Sequence, residues 1–395
     1  MRELCKHVTG KFMINKHLII ASWAPLCAFV VLGCCWGAFA ALVPDLQAAI
    51  GAGDGELAGV MLIAAIGAIT AMRFAPWLDS WLGRYGVVTL CAAALLAFQL
   101  PGLMNTWTGL TIAMFLCAAS TGSLDVVMNA HLSQIEAHEG RPLMSFHHAM
   151  FSFAYAIAAF STGLIREFGG GAVISFAIIG VFGLLMLPSM VLPKQVELAN
   201  DGNGTPTSSA NRFLVLIGIV IAIAFMAEQA AEGWSALHLE RSLGVGAVLG
   251  AMGPAILGLT MGVGRLGGQA MTQIFSEARV IQIAALFAAC GSTLAATAIN
   301  LPLTYIGFAA LGLGISVIAP LGLALVGRVS PADQRVKAIS NVALIGYTGF
   351  FIGPPLMGGL AELASLSVSF GALSLLLAFI SLALIPMLAR SFQKD

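Results

Sequence analysis

Charge is what this chain has least of. Its 18 Lys and Arg and 18 Asp and Glu make up 9% of 395 residues, where a soluble domain carries about 25%. With 59% hydrophobic residues beside them, this excludes a soluble globular reading. The charges cancel, so no basic surface for nucleic acid is implied. The seven cysteines (Cys5, Cys27, Cys34, Cys35, Cys91, Cys117 and Cys290) form no C-x-x-C pair and no disulfide framework, and read as small apolar packing residues. No G-x-x-x-x-G-K-[ST] loop occurs; the one Gly-Lys, Gly10-Lys11, is followed by Phe12. Transport powered by this chain's own ATP hydrolysis is therefore excluded. No short-loop Ser/His/Asp set is present, so no enzyme activity and no cofactor are expected. Asp125, His131, His147 and His148 match no metal-ligand spacing, and no metal is expected.

Long apolar runs are present instead. A bilayer-crossing helix needs about 20 mostly apolar residues. Twelve runs qualify: 18–43, 56–78, 86–104, 107–134, 143–166, 172–192, 213–238, 246–270, 279–299, 302–327, 337–361 and 367–390. The first is too long for a signal-peptide core and is followed by more spans, so it is read as a helix. The polar, Gly/Ser/Thr/Asn-rich stretch 193–212 reads as a flexible linker. It divides the chain into a six-helix bundle 1–192 and a second, 213–395. The expected fold is an all-α membrane protein of twelve transmembrane helices in two pseudo-symmetric six-helix bundles.

The basic residues test the count. With both termini cytoplasmic, fifteen fall inside or at its edge: Arg2, Lys6, Lys11, Lys16, Arg73, Arg84, Arg141, Lys194, Arg212, Arg279, Arg328, Arg335, Lys337, Arg390 and Lys394. Only Arg166 and Arg241 fall outside, and Arg265 lies near an inner helix end. This is the positive-inside pattern. The halves also repeat at an offset near 193, pairing Arg141 with Arg335, His147 with Asn341 and Arg73 with Arg265. Internal repeats in a membrane protein point to a transporter whose site lies near the midplane, between the repeats.

Buried polar residues are the candidates for that site. Asp125, Asn129 and Glu136 share a face of span 4, with Glu136 emerging at the surface. An ionised carboxylate at membrane depth costs about 2.5–3.5 kcal/mol, so it faces a cavity or a partner. Low-dielectric surroundings favour the neutral form of a carboxylic acid, the chemistry that proton coupling needs. Asp125 is the first proton candidate; a structural acid paired with His147, His148 or Arg73 is the other reading. Of the adjacent histidines only one can face a given cavity. His147 is favoured by its match to Asn341, as a proton relay; a helix-start cap is the alternative. Glu228 and Glu232, one helical turn apart on span 7, are further proton candidates, although Glu232 also reads as an interfacial partner of Arg241. Asn129, Trp36, Gln229, Asn341 and Tyr347 are substrate candidates. Trp36 reads more often as helix packing, and Trp234 as an aromatic-belt residue. Arg265 reads as a gate-pairing residue like Arg73, with neutralisation of a substrate carboxylate as the alternative. "GPP" at Gly353–Pro355 reads as a break in span 11.

The loop "APWLDSWLGRYG" (75–86) resembles the G-x-x-x-D-R-x-G-R-K/R motif of the major facilitator superfamily. Asp79, Gly83 and Arg84 match; Ala75 and Ser80 replace the leading Gly and the Arg, and one extra residue separates Asp from Gly. Six plus six spans, the central linker and the terminus positions resemble that superfamily along the whole chain. Asp125 and Asn129, Arg141, "EQAAEGWSALHL" and "GYTGFFIGPPLMGG" resemble its fucose/proton symporter branch and related bacterial permeases. The resemblance implies alternating access in the bacterial inner membrane. A small polar organic solute, sugar-like or related, would move with protons, and the protein would work as a monomer in the lipid bilayer. It gives Asp79, Arg84, Arg73, Arg141 and Arg265 gating or structural roles. Proton-driven export and a non-transporting receptor or scaffold are the competing readings.

Overall fold

Helices in lipid satisfy their own backbone polar groups, and the described residues form helices joined by short turns. A computed structural model describes residues 16–192, 212–331 and 334–391. The proposed linker up to residue 211, the basic residues at 2, 6, 11, 194 and 394, Cys5 and Asp333 lie outside the described residues, and Arg212, the linker's expected last residue, already begins a helix. After a short helix, Lys16–Ala21, come α1 (Trp23–Ile50), α2 (Asp54–Leu82), α3 (Gly86–Ala97), α4 (Trp107–Glu139), α5 (Met144–Glu167) and α6 (Ala172–Met186). The second half has α7 (Arg212–Ser242), α8 (Ala247–Met271), α9 (Glu277–Thr297), α10 (Leu301–Val329), α11 (Arg335–Leu363) and α12 (Leu366–Phe379). A π-helical turn, Ile380–Leu384, and a last short helix, Ile385–Ser391, extend α12.

Eleven helical runs among the described residues are long and apolar enough to cross a bilayer. One of them, Asp54–Leu103, has 50 residues. As a straight helix it would reach about 75 Å, over twice the hydrocarbon thickness. It is turned at Gly83, whose φ of 54° suits glycine, and so supplies two crossings, α2 and α3. Twelve crossings bring the first and last described helices to one face, called proximal below; the opposite face is distal. The expected break at Gly353–Pro355 is corrected: α11 runs unbroken through Pro354 and Pro355. Proline within a membrane helix is tolerated where its surroundings satisfy the freed carbonyls.

The halves repeat in their packing. α1 packs on α5 as α7 packs on α11, α2 on α4 as α8 on α10, and α3 on α4 as α9 on α10. The principal contacts between halves, α5 with α8 and α2 with α11, are also equivalents of one another. Close approach depends on small residues. Gly37 of α1 lies against the Tyr155 backbone of α5, where any Cβ would overlap the Tyr155 carbonyl. Gly37→Leu is therefore expected to destabilise the first half by about 1–3 kcal/mol or more, as overpacking does. A thermal unfolding midpoint in detergent unchanged from wild type would refute this.

Candidate functional site

One buried guanidinium joins three helices from both halves. Arg265, on α8, donates from Nη2 to Glu228 Oε1 of α7 at 2.7 Å. From Nη1 it donates to the His148 carbonyl at 3.2 Å and to Ser152 Oγ, both on α5. The side chains of Arg265 and Glu228 are 11% and 17% exposed. Arg265 and its repeat counterpart Arg73 thus differ, since Arg73 is exposed on α2.

Glu232 stands one turn beyond Glu228 on α7, half-buried, and makes no hydrogen bond or ion pair with any described residue. Asp125 on α4 is also half-buried. Its partner is its own helical neighbour, Asn129, whose Nδ2 donates to Asp125 Oδ1 at 3.0 Å and to its carbonyl at 2.8 Å. Tyr347 of α11 lies within electrostatic reach of Asp125. Tyr347 also belongs to a stacked group with Phe225 and Phe350, with ring centroids 5.0–6.1 Å apart. These three half-buried rings give the second half an aromatic surface. Gln229 Nε2 approaches Met61 Sδ at 3.7 Å, and its Oε1 is buried without a partner among the described residues. Asn341 is half-buried, six residues before Tyr347 on α11.

Other expected residues lie elsewhere. His147 does not meet Asp125. It is fully buried, with Nδ1 3.0 Å from the Leu143 carbonyl and Nε2 3.4 Å from the Ser22 carbonyl. The 100° step of the helix turns it onto α1, and its neighbour His148 brings a backbone carbonyl to Arg265 instead. Trp36 packs edge-on against Phe39 and Phe98 within the first half. Trp234 is buried rather than interfacial. Glu136 accepts from the Leu143 and Met144 backbone N–H groups and so holds the start of α5. At the proximal side, Asp79 Oδ1 lies 3.0 Å from His131 Nε2 of α4, and Arg84 lies over the Tyr85 ring at 5.4 Å. Arg141 is exposed. Among the described residues no His/Cys/Asp/Glu group suits a metal ion.

At the distal face the halves are bolted together by ion pairs that the sequence did not predict. Arg166 of α5, its side chain 5% exposed, donates to both carboxylate oxygens of Asp45 on α1 at 2.6 and 2.9 Å. It reaches across to both oxygens of Glu240 on α7 at 2.6 and 3.1 Å. Arg241, the expected partner of Glu232, instead bonds Asp54 Oδ1 at 2.6 Å and Gln47 Oε1 at 2.7 Å. Glu362, ending α11, accepts from the first N–H groups of α2, Asp54 at 2.9 Å and Gly55 at 3.2 Å. Glu167, ending α5, accepts from Val248 N at the start of α8 at 3.4 Å. Both are carboxylates at a helix N-terminus, where backbone donors and the helix dipole favour an anion. They occupy corresponding places in the two repeats. So do Gly163 and Gly358, which let α5 lie on Ala247 and Ala251, and α11 on Asp54 and Ala58. Arg166 and Arg241, the two basic residues that the charge pattern sets apart from the other sixteen, were the signal for this seam.

A sequence model of the Major Facilitator Superfamily matches residues 219–392. An uncharacterized MFS-type transporter of Yersinia pestis is 30% identical over 359 residues, spanning 89% of this chain and 91% of that protein. Membrane protein MosC of Rhizobium meliloti is 25% identical over 86% of this chain and 83% of its own length. Among solved structures, the D-xylose-proton symporter superposes with a TM-score of 0.72 at 12% identity, covering 94% of this chain and 98% of that one. The nucleoside transporter NupG superposes with a TM-score of 0.70 at 11% identity, covering 95% and 100%. These likenesses establish a shared fold.

Proposed function

The chain belongs to the major facilitator superfamily of transporters, and from that premise we propose that it is a proton-coupled symporter of a small polar organic solute, sugar-like or related. One observation carries this reading. Where the halves meet, Arg265 pairs directly with Glu228, while Asp125 and Glu232 form no ion pair among the described residues, Glu232 feeling Arg265 only at longer range. An ionised acid at membrane depth is costly without a partner, and taking up a proton removes that cost. Protonation of Asp125, with Glu232 or Glu228, would favour one of two states of the seam, which is how a bound ligand shifts an equilibrium. The solute would lie between the halves against Phe225, Tyr347 and Phe350, within reach of Asn129, Gln229 and Asn341. Rocking of bundles 1–192 and 213–395, joined by the 193–212 linker, would expose this site to either side. In this reading the protein is a monomer in the bacterial cytoplasmic membrane. The termini are inside and the distal seam is the outer gate.

Proteoliposomes test the coupling. With an acid-outside gradient, the wild type is expected to concentrate a solute identified by thermal-shift binding. Asp125→Asn should abolish that accumulation and retain counterflow exchange. Concentration by the mutant would remove Asp125 from the coupling. Accumulation only under the opposite gradient would make the protein an exporter.

A further inference from the structure

Tyr155, unremarked in the sequence, is 1% exposed on α5, three residues beyond Ser152. Its backbone is held by α1 at Gly37, and its ring by α8, where a Cβ on Gly258 would lie 2.6 Å from Cδ1. Phe151 stacks beside it at 6.3 Å. The ring is thus fixed in the seam between the halves. Its hydroxyl is buried and finds no hydrogen-bond partner among the described residues. Such a group costs about 1–3 kcal/mol, so a side chain clamped this firmly calls for a partner at another stage of the cycle.

The register identifies its neighbour. α5 and α7 run in the same direction, and Ser152 and Glu228 are tied to one guanidinium. One turn further along each helix stand Tyr155 and Glu232. Tyr155 lies within electrostatic reach of Glu232 and Glu228. A donor without an acceptor therefore neighbours an acid that makes no direct bond, with Arg265 acting on it only at longer range.

We propose that Tyr155 and Glu232 form a subsite that binds one hydroxyl group of a neutral polyhydroxylated solute. The Tyr155 O–H donates to the solute oxygen, and a Glu232 oxygen accepts from the solute O–H. An alcohol both donates and accepts, whereas an ammonium group only donates and a carboxylate only accepts. An ammonium would leave Tyr155 unsatisfied, and a carboxylate would oppose Glu232 whenever Glu232 is ionised. Protonation of Glu232 leaves its carbonyl oxygen free to accept, so the subsite works in either state. The inference rests on the inter-half seam being the transport site.

Thermal unfolding of the full chain in detergent tests it with two solute sets. One holds neutral hexoses, pentoses, cyclitols and nucleosides; the other holds diamines and tetraalkylammonium ions of similar size. A member of the first set is expected to raise the wild-type midpoint. Tyr155→Phe should weaken that solute's binding about tenfold to a hundredfold, the scale of a lost buried hydrogen bond. Glu232→Gln should weaken it as well. Without solute, Tyr155→Phe should unfold no earlier than wild type, since the hydroxyl it removes has no partner. Equal binding by Tyr155→Phe, a response to the amine set alone, or a response to neither set would overturn the subsite. Those failures leave the coupling reading to Asp125→Asn. Conversely, a polyol that needs Tyr155 yet is never concentrated by wild type would overturn the coupling and leave the subsite.

Discussion

Arg265→Gln is expected to abolish transport and to lower stability more than any other single change at the seam. Arg265 holds Glu228, Ser152 and the His148 carbonyl together. Without it Glu228 is a buried acid lacking a cation, and removing one partner of a buried pair costs about 3–5 kcal/mol. Glu228→Gln in the same chain should return most of that stability, because the stranded charge is gone. It should not return transport, because α5 and α8 have still lost their link across the seam. Thermal unfolding of the two single variants and the double variant measures the coupling. A single variant that unfolds at the wild-type temperature would show that the ion pair contributes nothing net.

The second large effect is on the balance between states. Arg166→Met removes the cation between Asp45 and Glu240 and the bond to the Ala41 carbonyl. Asp45 is 40% exposed and loses little; Glu240, at 18%, is the more strongly stranded. Two carboxylates would then face each other across a closed seam, and the seam should open more often. Ala159, fully buried in an alanine cluster with Ala41, Ala251 and Ala255, reports this. Once changed to cysteine, it should react with a soluble maleimide roughly tenfold faster in the Arg166→Met background. That ratio corresponds to a shift of about 1.4 kcal/mol between closed and open states. An unchanged labelling rate would mean that the seam is held by its small-residue packing alone.

The spans were legible because the bilayer imposes a length on them, and the repeat because its charges recur at one offset. The acids at membrane depth were legible for the same reason: in an apolar run a carboxylate stands out. Partner choice was not. Whether His147 or His148 turns to the seam depends on helix rotation that no apolar pattern in α5 records. Arg265 resembled Arg73 along the chain, yet one is buried on Glu228 and the other exposed. Tyr155 carries no charge and so raised no signal within its run. Asp45, Glu167, Glu240 and Glu362 were not singled out, because pairing between halves is a property of the closed seam and not of any one segment.

The bolts of that seam also decide what meets a solute when it opens. Five carboxylates, those of Asp45, Asp54, Glu167, Glu240 and Glu362, would line the parted rims with two guanidiniums, Arg166 and Arg241. The mouth would carry an excess of negative potential, which gathers cations and protons and thins out anions. A charge filter of this kind acts before any contact at the central site. It screens against acidic solutes at the threshold and raises the local supply of protons where the proposed cycle begins.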